Sequence, residues 1–291
     1  MMDADTDWVV ISVTPSYRKI LELELVLTAM GITAQIERDD TEWLLLTRRE
    51  FVASAQKQLS LYQHENRFFS LKRSPSPVLE KGYIGCIGYL IAIWFVWFVD
   101  QGGLVPEFQK NGVMWAYAVR EGEWWRCFTA LLLHADFVHL LGNSVSGLIF
   151  GWMVARYVGS GAAWFLILLC GALGNFLNAY LQHDEFVSIG ASTAVFAAVG
   201  LLSGLFCRRR FIASRGWKYN LIPIVGALGL FAFIGIGGEN TDIVAHLTGL
   251  ICGILGGLIV GRFDFRLLGK SGQIFAGIAT GMVLFLAVLL A

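Results

Sequence analysis

The stretch Val187–Cys207, VSIGASTAVFAAVGLLSGLFC, decides how this chain is read. It runs for 21 residues without Asp, Glu, Lys or Arg, close to the roughly 20 apolar residues that cross a hydrocarbon core. Near its start it carries hydroxyls in small company, Gly190-Ala191-Ser192-Thr193-Ala194. Working outward, comparable runs stand at Tyr83–Val99, Phe137–Ala155, Ala162–Leu181, Leu221–Ile236, Ile243–Val260 and Ile274–Leu290. Of the 291 residues, 56% are hydrophobic and 15% charged, against about 25% charged in soluble domains. A span must satisfy its own backbone hydrogen bonds, so helices are the natural form. The expected fold is an all-α polytopic membrane helical bundle.

Residues 1–70 read differently. Trp8–Val13 is β-prone, Ser16–Met30 has helical spacing, Thr33–Arg38 and Glu42–Thr47 look like strands around a turn at Asp39-Asp40, and Arg48–Asn66 looks like an amphipathic helix. The expectation is a small α+β domain of βαββα order, a docking or regulatory module without a catalytic motif and with an unknown partner. Residues 71–82 read as a linker, with prolines and serines in Lys72–Pro77. Residues 83–260 hold six runs, and 261–291 a loop and a seventh.

Net charge is formally zero, which suggests no nucleic-acid partner. Cys86, Cys127, Cys170, Cys207 and Cys252 show no CxxC spacing, which argues against a disulfide framework or a zinc site. Met1–Asp7 is acidic and the first apolar run begins only near residue 83, so no signal peptide is expected. If the spans alternate, Lys81, Arg156, the cluster Arg208–Lys218 and Arg262, Arg266 and Lys270 share one side. The positive-inside rule makes that side cytoplasmic, together with the N-terminus, and puts the C-terminus outside. Short loops and compact size suggest a bacterial inner (plasma) membrane.

Ionisable or polar groups within a span are costly and mark functional candidates. Those present are His139, Asn143, Ser144, Ser192, Thr193 and His246. A zinc protease would need HExxH on one helical face, and an aspartyl protease two carboxylates sharing a proton. Neither is present. What is left is a hydroxyl and an imidazole, the nucleophile and base of serine chemistry. Ser192, after the polar His183–Ile189 stretch, is expected at a helix start, where free N–H groups favour an oxyanion. His246 falls at a comparable depth, so the proximity of the two is inferred. From His246 onward, Gly249, Gly253 and Gly257 recur every four residues, spacing that lets helices approach closely in lipid. His139 and Asn143, at i and i+4, share a face. They read either as oxyanion donors or as interhelical polar glue.

These strings, taken in order, resemble the rhomboid intramembrane serine proteases. The matching residues are Trp125-Arg126, Leu133-His134, Phe137-Val138-His139-Leu140-Leu141-Gly142-Asn143, Gly190-Ala191-Ser192 with Val195-Phe196, and Ala245-His246-Leu247-Thr248-Gly249 with Gly253. The resemblance implies a six-helix rhomboid core plus one C-terminal span, and a Ser192–His246 dyad without an acid. It implies an oxyanion hole of His139, Asn143 and the Ser192 N–H, with Trp125, Arg126, His134, Phe196, Gly190, Gly249 and Gly253 in supporting roles. Substrates would be transmembrane proteins reached laterally through the lipid bilayer, between the second and fifth spans, with no metal or cofactor. The chain departs from the family pattern at Thr193, often glycine, and at Phe196, often tyrosine. The alternatives are a catalytically silent relative that binds membrane clients, which would lack the serine or histidine, and a small-solute transporter, which would show internal repeats with broken helices.

Overall fold

The computed structural model describes residues 7–66, 79, 81–104, 108–212, 217–236 and 241–291, in two compact units, Met1–Ser74 and Pro75–Ala291. The first unit runs β1 (Trp8–Thr14), α1 (Tyr17–Ala29), β2 (Ala34–Asp39), β3 (Glu42–Arg48), a 3-10 turn at Arg49–Phe51 and α2 (Val52–Asn66). This is βαββα order. The sheet is antiparallel with β3 in the middle, because β2 and β3 form a hairpin closed by the pair Asp39–Glu42. Asp40 takes the left-handed conformation in that turn (φ 41°), which aspartate tolerates better than most residues. Alternation along β3 turns Leu45 and Thr47 to the same side. Leu45 packs there with Ile20, Leu23 and Leu27 of α1 and with Ala55 and Leu59 of α2. The expected linker Lys72–Pro77 lies outside the described residues.

The second unit begins with α3 (Tyr83–Gln101). A loop region follows, with short helices α4 (Phe108–Gly112), α5 (Ala116–Arg120) and α6 (Arg126–Thr129) and the short strand β4 (Met114–Trp115). Then come α7 (Phe137–Val158), α8 (Ser160–Leu181), the short strand β5 (Val187–Ser188), α9 (Ser192–Ile212), α10 (Trp217–Ile234), α11 (Ile243–Val260) and α12 (Gly269–Leu290). Among the described residues, five helices are long and apolar enough to cross a membrane: α3, α7, α8, α11 and the stretch Phe265–Leu290 that contains α12. The apolar part of α10, Tyr219–Ile234, is shorter.

One of the seven expected runs needs a correction. The run at Val187–Cys207 is not helical from its first residue. Val187 and Ser188 pair with Trp115 and Met114, and the helix starts only at Ser192 and continues through Arg208 and Arg209. The apolar stretch is split because its first residues close the loop region, and the arginines dilute the apolar character of the helix.

Helix α9 is buried almost throughout and is packed by α7, α8, α10 and α11. Small residues make this possible. A Cβ added at Gly249, Gly253 or Gly257 of α11 would lie 2.3, 2.1 or 2.3 Å from the carbonyl oxygens of Thr193, Ala197 and Leu201. In return, one added at Gly200 or Gly204 of α9 would lie 2.3 or 2.2 Å from the carbonyls of Leu250 and Ile254. The two backbones touch in a four-residue rhythm along both helices, which no larger residue permits.

Candidate active site

The first turn of α11 is built by Asp242. Its carboxylate accepts the Ala245 N–H (2.9 Å) and the buried Asn178 amide of α8 (2.6 Å), which satisfies an open helix end. One turn on, His246 is buried, with Nδ1 2.9 Å from the Gly235 carbonyl. A carbonyl only accepts, so Nδ1 carries a proton, and in the neutral ring Nε2 then keeps its lone pair. The Phe196 ring lies against the imidazole, centroids 4.6 Å apart and planes tilted by 30°. His246 is thus held from two sides, and in its neutral form this is the tautomer that a general base needs.

Ser192 is the first residue of α9, behind Gly190 at φ +127°, a conformation that favours glycine. A Cβ on Gly190 would stand 2.7 Å from His139 Nε2 and 3.7 Å from the Asn143 side-chain nitrogen. The two α7 side chains therefore converge on the backbone just ahead of Ser192. The Gly190 N–H is fixed to the Ala130 carbonyl at 2.9 Å. Among the described residues the buried Asn143 amide nitrogen has no hydrogen-bond partner, an uncommon condition for a buried donor. Among the described residues no hydrogen bond joins Ser192 to His246. Apo sites often leave that contact long. The helices that carry the two residues meet instead at Phe196 on the imidazole and at Gly249 on the Thr193 backbone.

Thr193 is accommodated rather than disruptive. Its methyl group lies between Gly174 of α8 and Gly249 of α11, where an added Cβ would approach it to 2.8 and 3.0 Å. His134 binds the Leu132 carbonyl through Nδ1 at 3.2 Å and stands edge-on to His139, centroids 5.1 Å apart. Burial, with the His139 ring beside it, pushes the His134 imidazole down to about 4, so it is neutral at neutral pH. Arg126, also buried, staples the loop region: Nε bonds Glu123 (2.5 Å) and NH1 bonds the Lys110 and Val113 carbonyls (3.1 Å each). Trp125 packs edge-on against Trp124.

Several contacts around the site are not foreseen from sequence. Tyr89 of α3 donates to the Asn143 carbonyl at 2.8 Å, and Trp94 donates to Ser144 at 3.1 Å. No periodicity signals either contact. Asp242, a polar residue immediately before an apolar run, is a readable helix-start signal, but its bond to Asn178 is not. Among the described residues no cluster of His, Cys, Asp and Glu could hold a metal ion.

Comparison with known proteins adds to this geometry. The family described as the Rhomboid domain matches residues 121–263. The rhomboid protein YdcA of Bacillus subtilis (strain 168) is 34% identical over 139 residues, 47% of this chain and 67% of its own length. The rhomboid protease GluP of the same organism is 32% identical over 57% of this chain but only 32% of its own length. RHOMBOID-like protein 5 of Arabidopsis thaliana is 26% identical over 55% of this chain and 51% of its own length.

Proposed function

This chain belongs to the rhomboid family of multi-pass membrane proteins, and from that premise we propose that it is a serine endopeptidase that cuts other membrane proteins. In this reading Ser192 is the nucleophile and His246 the base. What supports it is that the His246 ring lies on Phe196, one turn after the helix-start Ser192, while the Asn143 amide faces Gly190, two residues before that serine.

A substrate segment approaches laterally. Helix α10 is packed chiefly on α9, and in this reading the substrate passes between α7 and α10 to reach Ser192. The Nε2 lone pair of His246 takes the Ser192 proton as the oxygen attacks the scissile carbonyl. The developing oxyanion lies beside Gly190, where the Asn143 amide, His139 and the Ser192 N–H donate to it. Such donors stabilise the transition state without reorganising. His246 then passes its proton to the leaving amine, and water releases the acyl-enzyme. The Gly235 carbonyl and Phe196 keep the ring in place through both transfers. The N-terminal unit and the basic loops face the cytoplasm in this arrangement, by the positive-inside rule.

The test is cleavage of a single-span substrate in proteoliposomes by the wild type, Ser192→Ala, His246→Ala and Asn143→Ala. The expected result is no cleavage by the first two variants, and turnover reduced about 10²–10³-fold in Asn143→Ala with unchanged thermal stability. Equal cleavage by all four would remove the dyad.

A further inference from the structure

A cavity of about 1050 Å³ lies between α3, α8 and α12. On α12 it extends from Gly269 to Leu284, about 22 Å at the helical rise. Its walls are apolar or bare: Gly85, Gly88, Trp164, Ile167, Gly277 and Gly281. Ile84 and Ile274, 82% and 62% exposed, form lips that open outward. The cavity is held open by Gln273, which donates to the Val158 carbonyl (2.8 Å) and accepts the Ala162 N–H (3.0 Å). This fixes α12 to the α7–α8 turn while leaving it away from α3. One end of the cavity reaches Ala191 and Ala194 beside Ser192, and the other ends at Arg266 and Lys270.

We propose that this groove binds one anionic phospholipid, with an acyl chain along α12 and the phosphate at Lys270. An empty cleft would forfeit dispersion contacts along its whole lining, and water finds too few polar partners there. The groove opens between α3 and α12, two apolar helices that are mostly exposed, so in a bilayer its nearest occupants are lipid chains. Charge selects among lipids. Arg266 is held by Asp264 at 2.8 Å, whereas Lys270 is exposed and has no acidic partner among the described residues. Among the described residues that line the groove, Lys270 is the cation without an acidic partner. The inference does not rest on the protease reading.

The test is native mass spectrometry of the purified full chain titrated with phosphatidylglycerol or phosphatidylcholine. The wild type is expected to retain one phosphatidylglycerol with about fivefold preference, the effect of one interfacial lysine. Lys270→Gln should equalise the two lipids. Gly281→Leu should weaken both, because an added Cβ there meets nothing within 4 Å and the side chain enters the groove. If Gly281→Leu does not fold, Gly88→Leu fills the groove from the opposite wall, where an added Cβ also meets nothing within 4 Å. Ser192→Ala should bind lipid like the wild type, which separates this outcome from any failure of the dyad. No lipid preference in the wild type, or wild-type binding in Lys270→Gln and the filled-groove variant, would overturn the site. So would a second copy of the chain found in the groove.

Discussion

Helices α11 and α12 are both glycine-rich apolar spans, yet their glycines do opposite things. Along α11, Gly249, Gly253 and Gly257 bring the backbone of α9 to within touching distance. Along α12, Gly281 faces open space, as does Gly88 across the gap on α3. The first arrangement makes a dry, incompressible contact that sets the depth of His246 relative to Ser192. The second leaves room. The same residue type is a spacer of zero thickness in one place and a missing wall in the other, and only the partner helix decides which.

That contrast can be broken by substitution. Gly253→Leu should have the largest effect. Its side chain would have to displace the Ala197 backbone, so a loss of about 3 kcal/mol or more is expected, together with all cleavage, as read by thermal unfolding in detergent. Gly281→Leu should have the smallest effect on stability, within about 0.5 kcal/mol. If the two cost the same, the helix contact is not what the geometry says. Between them lies Asn178→Ala, which strips a partner from the Asp242 carboxylate at the start of α11. A cost of about 1–3 kcal/mol is expected, with slower cleavage because His246 follows one turn later. Tyr89→Phe probes the looser side. It removes the hydrogen bond to the Asn143 carbonyl and should cost about 0.5–1.5 kcal/mol. A Tyr89→Phe loss as large as that of Gly253→Leu would mean that α3, not the α9–α11 contact, holds the site together.

How much of this is legible in the sequence differs along the chain for physical reasons. The bounds of α11 are read without error, because Asp242 and the Gly261-Arg262 pair punctuate an unbroken apolar run. The four-residue glycine rhythm points to close helix packing, since bare backbone has no other common use inside a span. The start of α9 is legible from the polar His183–Ile189 stretch ahead of Ser192, but the diversion of Val187 and Ser188 into a strand is not. Their partners, Met114 and Trp115, lie far away in sequence and carry no turn signal that links the two. The open face of α12 is equally silent, because Gly281 reads the same whether or not a neighbour fills its place. The convergence of His139 and Asn143 on Gly190 depends on how α7 meets the start of α9. The i, i+4 spacing shows only that the two share a face.

The most direct measurement of the central claim is labelling of the detergent-purified chain with a fluorophosphonate probe, followed by peptide mapping. One adduct is expected, on Ser192, lost in His246→Ala while Gly281→Leu labels normally. An adduct on another residue, or labelling of Ser192 that is indifferent to His246, would contradict it.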